Sequence, residues 1–336
     1  MVFSIFDPLD MHLHLRDKKM LEIVAPLSSK TFSGALIMPN LVPPITTKEA
    51  VNEYKKRILK AKKDYKFVPY MTLFFKSSYT KEFLKEVKDD ILAIKLYPNG
   101  VTTNSKGGVS DFNLGELSLT LDAISELGIP LCVHGESDGF VMDREAEFMP
   151  IYEMLAKNFP NLKIIMEHIT TKEAVDMLDR YDNLYATITL HHLYITLDDV
   201  AGGLLHPHLF CKPIAKRPED RKALLDVALK AHPKVMFGSD SAPHPKDSKE
   251  APGCAAGVFT APIALLALTQ LFDEANALEN LQSFVSDNAK RIYGITPPSK
   301  EVVLEKSEYV VPKIYGESVV AMFAGESLKW RVIDIK

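Results

Sequence analysis

The sequence has little cysteine, and none of it is in a pattern. Cys132, Cys211 and Cys254 are the only three, and no two form a CxxC pair. A disulfide framework and a zinc ribbon are thereby excluded. A surplus of one charge is also missing: 40 Lys and Arg stand against 44 Asp and Glu, a formal net charge of -4. With no basic tail or stripe, nothing favours a nucleic-acid partner. The one lysine-rich block, residues 55–66, reads as the wet face of a helix. No apolar run approaches the roughly 18 residues of a membrane span. The opening "MVFSIFDPLDMHLHLRDKK" lacks the ordered parts of a signal peptide. No membrane partner and a cytoplasmic location are the expectations that follow. Neither a solenoid-period repeat nor a low-complexity tract is found.

What is present is an ordinary globular balance, 46% apolar and 25% charged, over 336 residues. Short apolar runs alternate with segments of helical spacing. The runs are "VFSIFDPLDMHLH", "SGALIMPN", "KFVPYMTLFF", "ILAIKLYP", "IPLCVHGE", "LKIIMEHIT", "LYATITL" and "KVMFGSD". They are continuous rather than alternating, as parallel strands covered on both faces require. Between them, "SLTLDAISELG" places Leu119, Ile124 and Leu127 on one face, with Gly128 as a stop. "TTKEAVDMLDRY" offers Thr171 as N-cap, and another helix opens at Pro218 and ends before Pro233. Such alternation means βαβ units, closed into a barrel or wound as an open sheet.

Polar, metal-capable residues end several different runs: His12 and His14, Asn40, Lys95, His134, His168 and Asp240. In a parallel barrel those ends converge on one face, and an open sheet would not easily gather them. The expected fold is therefore an α/β (β/α)8 TIM barrel. A single domain spans residues 1–336, with segment 295–336 packed on the barrel or forming a short hairpin.

On an extended strand His12 and His14 point to the same side, where two imidazoles can hold one zinc ion. His134, His168 and Asp240 are further ligand candidates, and a buried acid such as Asp240 needs a cationic partner. Lys95 lies within a barrel strand, where a lone ammonium is costly. Three solutions stay open for it: a salt bridge, a reach to solvent, or carbamylation, which turns the amine into a carboxylate. The polar segment "YPNGVTTNSKGGVSDFNL" is long for a βα connection and reads as a mobile active-site loop or an ordinary surface loop. Glu136 and Glu167 flank the histidines as supporting partners or as plain strand-end polar groups. His191 and His192, placed on the end of a strand, would point opposite ways, so at most one enters a site.

Taken together, "HLHLR", "MPN", "IKLYP" followed by "TTNS", "VHGE", "EHIT", "FCKPI", "GSDSAPH", "CAAG" and "MFAGESLKW" resemble the amidohydrolase superfamily. Within it the match is to the shorter bacterial dihydroorotases, in family order and over nearly the whole chain. The resemblance implies two zinc ions per chain. His12, His14 and Asp240 would hold one and His134 and His168 the other, with N6-carboxylated Lys95 and a hydroxide bridging them. It places Arg16, Asn40 and His244 on the substrate carboxylate, a task suited to arginine's planar fork. The backbones of Lys212 and Ala256 would hold the ring amide, and Thr102 and Thr103 would sit on a loop that closes over the ligand. Asp240 would be the catalytic proton carrier. The implied reaction is the reversible cyclisation of N-carbamoyl-L-aspartate to L-dihydroorotate, in a homodimer. At Lys212 the chain departs from the family, which often has an apolar residue there. Hydantoinases and allantoinases share the implied metal site, and a phosphotriesterase-like enzyme is a more distant rival. A neutral ring would not require the carboxylate-binding set.

Overall fold

A computed structural model describes residues 1–336. The first apolar stretch is two strands, not one. β1 (Val2–Phe6) ends at Asp7, whose φ of 49° turns the chain, and β2 (Leu9–Leu13) begins after Pro8. β2 opens an eight-stranded parallel sheet that continues through β3 (Gly34–Ile37), β4 (Val68–Phe74), β5 (Ala93–Leu96), β6 (Leu131–Val133), β7 (Ile164–Met166), β8 (Leu184–Ile188) and β9 (Val235–Phe237). The strands pair in sequence order. Closure comes from a parallel bridge between Leu13 and Ser241, with Asp240 N–H donating to His12 O at 2.8 Å and His14 N–H to Ser241 O at 3.2 Å. The result is a (β/α)8 barrel.

Its interior is filled at one end by apolar side chains. Leu9, Met11, Leu36, Met38, Ala93, Cys132, Ile165 and Met236 form one buried cluster, plugged by Ile292 and Tyr293 from the helix Asn288–Tyr293. Two-residue periodicity then carries Lys95 and Tyr97 beyond Ala93, and His134 beyond Cys132, into the same interior. β2 breaks that rule. Between Asp10 and Leu13 the strand holds one residue more than β3 does, so the register shifts. Leu9 and Met11 belong to the interior cluster, whereas Leu13 and Leu15 join the outer core. A bulge of this kind re-aims side chains beside an active site. It hands the inward face from Met11 to His12 and His14.

The helices follow the sequence pattern with one correction. Thr171 caps Lys172–Met177 by accepting from Ala174 N–H, and Gly128, at φ 68°, ends Leu114–Leu127. The buried face of that helix is Leu117, Leu121 and Ile124. Leu119 is exposed instead, because 100° per residue places it opposite Leu117 and Leu121. Beyond the barrel, β10 (Glu301–Val310) and β11 (Ser327–Ile335) pair antiparallel with each other, and β10 pairs with β1 in a second sheet. No helix is long and apolar enough to cross a membrane.

Candidate active site

At the C-terminal ends of the strands, one cavity is lined by His12, His14, Arg16, Asn40, Thr102, Thr103, His134, His168, Lys212, Asp240 and Ala256, together with Tyr97, Ala242 and Gly257. Of the residues that the resemblance assigns to metal or substrate, only Lys95 and His244 are not on its wall. Lys95 lies beneath it, fully buried. His244 stands behind Arg16, its Nε2 3.0 Å from the Arg16 guanidinium.

Two groups of ligand atoms converge. Asp240 Oδ1 lies 3.0 Å from His14 Nε2 and 3.5 Å from His12 Nε2. These three residues form a buried set able to hold a metal ion. Beside it, His134 Nδ1 and His168 Nε2 are 3.2 Å apart. Burial lowers the pKa of His12, His14 and His168, so these rings are neutral and keep the lone pair that metal binding needs. Burial raises Asp240, with the neighbouring His12, His192, Lys95 and His134 opposing it. The outward nitrogens are held as well. Glu167 takes His12 Nδ1 at 2.7 Å, and Glu136 takes His134 Nε2 at 2.6 Å. Burial alone would raise Glu167, but His12 and Lys95 outweigh it and hold the carboxyl at about 2. Both glutamates are therefore supporting partners that fix ring tautomer and direction.

Lys95 is the anomaly. It is 0% exposed and its Nζ has no hydrogen-bond partner; it sits over the Tyr97 ring, 5.1 Å from its centre. The salt bridge and the reach to solvent are both ruled out. Burial lowers its pKa. An unpaired ammonium here would be costly, so the amine demands a change of chemistry or a partner. Four imidazoles, one carboxylate and an orphaned amine fit a metal-dependent hydrolase centre.

Three residues of the cavity wall also have a strained backbone. Arg16, His168 and Asp240 all have positive φ, of 58°, 41° and 43°. Non-glycine residues adopt this conformation only where the surroundings enforce it. Gly238 shows the crowding below: a Cβ there would meet Thr187 and His12 side-chain atoms at 2.9 and 3.0 Å.

On the substrate side, Arg16 Nε donates to Pro243 O at 3.1 Å, and its other N–H groups, apart from the one at His244, have no protein partner. Arg16 Nη2 can only donate, whereas Ala256 O, also 3.0 Å from His244 Nε2, can only accept. The single nitrogen of a neutral ring satisfies one of them at a time. Asn40 Nδ2 donates to Thr103 O at 3.0 Å, and Asn104 Nδ2 to Asn40 O at 3.1 Å. The segment 97–114 therefore lies over the cavity, with its tip on the barrel rim.

Sequence reasoning missed Tyr97, Asp10 and Glu145. Tyr97 carries a signal, since it lies two residues from Lys95 on the same strand face, whereas the bulge in β2 puts Asp10 on the face opposite His12 and hides any such signal. Asp10 accepts from Ser239 N–H and Oγ–H at 2.8 and 2.5 Å, joining β2 to the end of β9. Glu145 carries none, because its partners Thr170 and Thr171 are distant in sequence. The reading of His191 and His192 as a strand end is corrected. They lie in a helical turn, Leu190–Tyr194, with rings 4.4 Å apart, and neither lines the cavity. Thr189 drives the difference: its hydroxyl accepts from His192 N–H and starts the turn. The pair forms a buried group with Cys211. His192 Nε2 is already committed to Pro213 O at 3.0 Å, however, so it offers no lone pair.

An amidohydrolase family model matches residues 48–295. The dihydroorotase of Helicobacter acinonychis is 46% identical over 341 aligned positions, covering 100% of both chains. The chain belongs to the dihydroorotase family of the amidohydrolases. Two solved dihydroorotases share its fold throughout. That of Campylobacter jejuni is 57% identical with a TM-score of 0.95, covering 98% of this chain and 97% of its own. The Saccharomyces cerevisiae enzyme, solved with 5-fluoroorotic acid, is 36% identical with a TM-score of 0.92, covering 99% and 98%. Membership in the dihydroorotases makes the chain a hydrolase of cyclic amides and sets the frame for assigning roles.

Proposed function

We propose that the chain interconverts N-carbamoyl-L-aspartate and L-dihydroorotate plus water, as in pyrimidine biosynthesis, at a centre for two zinc ions bridged by N6-carboxylated Lys95. The observation that carries the bridge is the orphaned Nζ of Lys95 beneath four imidazoles and Asp240. A neutral amine can add to carbon dioxide: the N–C bond forms, a proton leaves, and a carboxylate replaces the unpaired group. His12, His14 and Asp240 would hold one ion, and His134 and His168 the other. Bound zinc would supply Lewis-acid polarisation of the ring amide and a water acidic enough to react at neutral pH.

The remaining roles belong to the protein. In the hydrolytic direction Asp240 takes the proton of the attacking water and delivers it to the ring nitrogen as the C–N bond breaks. Ring closure runs the same transfers backwards. Arg16, Asn40 and His244 grip the substrate carboxylate, with the free N–H groups of Arg16 available for a paired contact. The main chain at Lys212 and Ala256 holds the ring amide. Thr102 and Thr103 shut the cavity and exclude water. The structural relative bound to 5-fluoroorotic acid, a ring carrying a carboxylate, supports this assignment over a neutral hydantoin. One domain over residues 1–336 and a cytoplasmic homodimer complete the proposal. The homodimer rests on the family resemblance, and sedimentation of the purified protein checks it.

The test is to load the protein with zinc in bicarbonate, count metal per chain, and assay both directions beside hydantoin and allantoin. About two zinc per chain with turnover confined to the dihydroorotate pair is expected. Preference for a neutral ring would remove the carboxylate grip. For the bridge, Lys95→Ala should lose the second metal and regain it with added acetate. Full metal content without acetate would remove Lys95 from the centre.

A further inference from the structure

The side chain of Lys212 has a definite destination. Lys212 Nζ donates to Val101 O at 3.0 Å. Val101 begins the tip of segment 97–114, immediately before Thr102 and Thr103. That tip is compact: Ser105 Oγ donates to Thr102 O at 2.8 Å and accepts from Thr102 N–H at 3.1 Å. Two barrel side chains hold it from different sides, and its own Asn104 Nδ2 donates to Asn40 O at 3.1 Å. Asn40, after β3, holds Thr103 O; Lys212, between β8 and β9, holds Val101 O. The Lys212 end is itself braced. Lys249 Nζ donates to Phe210 O, Ala255 O and Gly257 O at 2.9, 2.7 and 2.8 Å, and Gly257 N–H donates to Phe210 O at 2.9 Å. Lys212 has no carboxylate within ion-pair distance, so no acidic side chain competes for its ammonium.

We propose that Lys212 is a positioning residue that latches the 101–105 tip shut through Val101 O and so raises the population of the closed, binding-competent cavity. The inference rests on the dihydroorotase reading for its kinetic arm only. An ammonium-to-carbonyl bond is charge-assisted and stronger than a neutral one, and its carbonyl partner is main chain, so lid sequence does not matter to it. Apparent affinity falls with the fraction of protein that is binding-competent. A relative with an apolar residue here would hold its lid by other contacts, or close it only on the ligand.

The test uses full-length, zinc-loaded protein and three forms: wild type, Lys212→Met and Lys212→Arg. Amide hydrogen exchange over residues 99–109, without ligand, reads lid opening directly, and trypsin cleavage after the exposed Lys106 reads it independently. Exchange and cleavage in Lys212→Met should be about tenfold faster, on the scale of one charge-assisted bond. KM should rise about tenfold while kcat falls less than twofold, and Lys212→Arg should restore both readouts. Unchanged exchange in Lys212→Met overturns the latch. A raised KM with unchanged exchange also overturns it, since the lysine would then act on the ligand directly. If Lys212→Met fails to fold, Lys212→Gln carries the same comparison. If wild type turns over no dihydroorotate, the functional reading fails, and the exchange arm still decides the latch.

Discussion

Single residues at this site are defined by what their second atom touches. His12 and His134 each present one nitrogen to the centre and lend the other to a buried glutamate. Removing such a partner typically costs about 10–100-fold in metal affinity. Glu167→Gln should therefore release zinc to a chelator at a concentration lower by about that factor, with the fold intact by circular dichroism. Unchanged retention would mean that His12 is oriented by packing alone. His192 shows the same logic away from the metal ligands. A carbonyl can only accept, so Nε2 carries the proton toward Pro213 O and Nδ1 accepts from Thr189 Oγ1. Burial pushes the ring down to about 4. An unfolded histidine titrates near 6.5, so between those values the unfolded chain binds more protons. Stability then falls as pH drops from about 6.5 to about 4. His192→Asn should flatten that limb in urea titrations at stepped pH. An unaltered slope would assign it to other buried groups, of which His191 is one.

Elements, at the next scale, are pinned to one another by buried carboxylates. Glu145, in the helix Arg144–Asn158, accepts from Thr170 N–H at 2.8 Å and Thr171 N–H at 3.1 Å, and from both threonine hydroxyls. Those threonines follow His168 after a single residue, Ile169, and Thr171 caps the next helix. One side chain thus joins a helix, a helix start and the strained turn that carries a candidate ligand histidine, His168. Burial raises the pKa of Glu145, with Lys216 and the threonine bonds opposing it. Glu145→Ala would leave two main-chain donors without partners, at about 1–3 kcal/mol each. A loss of about 3 kcal/mol in urea unfolding is expected, while Thr170→Val, which spares the main-chain bonds, should cost less. Equal losses would place the effect in the hydroxyl instead. The bulge in β2 works at this scale too: one extra residue changes which side chains face inward, and without it Met11 and Leu13 would point where His12 and His14 do.

At the scale of the whole molecule, the two ends of the chain meet outside the barrel. β1 precedes the barrel, β10 and β11 follow it, and the three share one sheet. Trp330 on β11 is fully buried and its Nε1–H donates to Asp273 Oδ2 at 3.2 Å, from the helix Ala264–Glu274. Trp330→Ala should cost about 3–5 kcal/mol while zinc per chain stays the same, because no atom of this sheet lines the cavity. Loss of metal in the folded variant would show that the sheet sets the barrel's shape. The Asp7 corner connects the layers: Asp7 Oδ1 accepts from Lys300 N–H at 2.8 Å, and Oδ2 pairs with Lys290 at 3.0 Å.

Much of this was legible in the sequence. All eight barrel strands stand where apolar runs met turn signals, and the ligand candidates stand at their ends, because burial on both faces writes itself into local composition. Caps such as Thr171 and Gly128 were legible for the same local reason. Other features were decided only by closure of the barrel. Whether Lys95 found an acid, which nitrogen of His134 met His168, and where the ammonium of Lys212 went depend on residues far apart in the chain, brought together by register and curvature. The division of the first apolar stretch into β1 and β2, and the helical turn at His191, also escaped a local reading. Each turns on one hydrogen bond or one backbone angle, which composition and periodicity do not record.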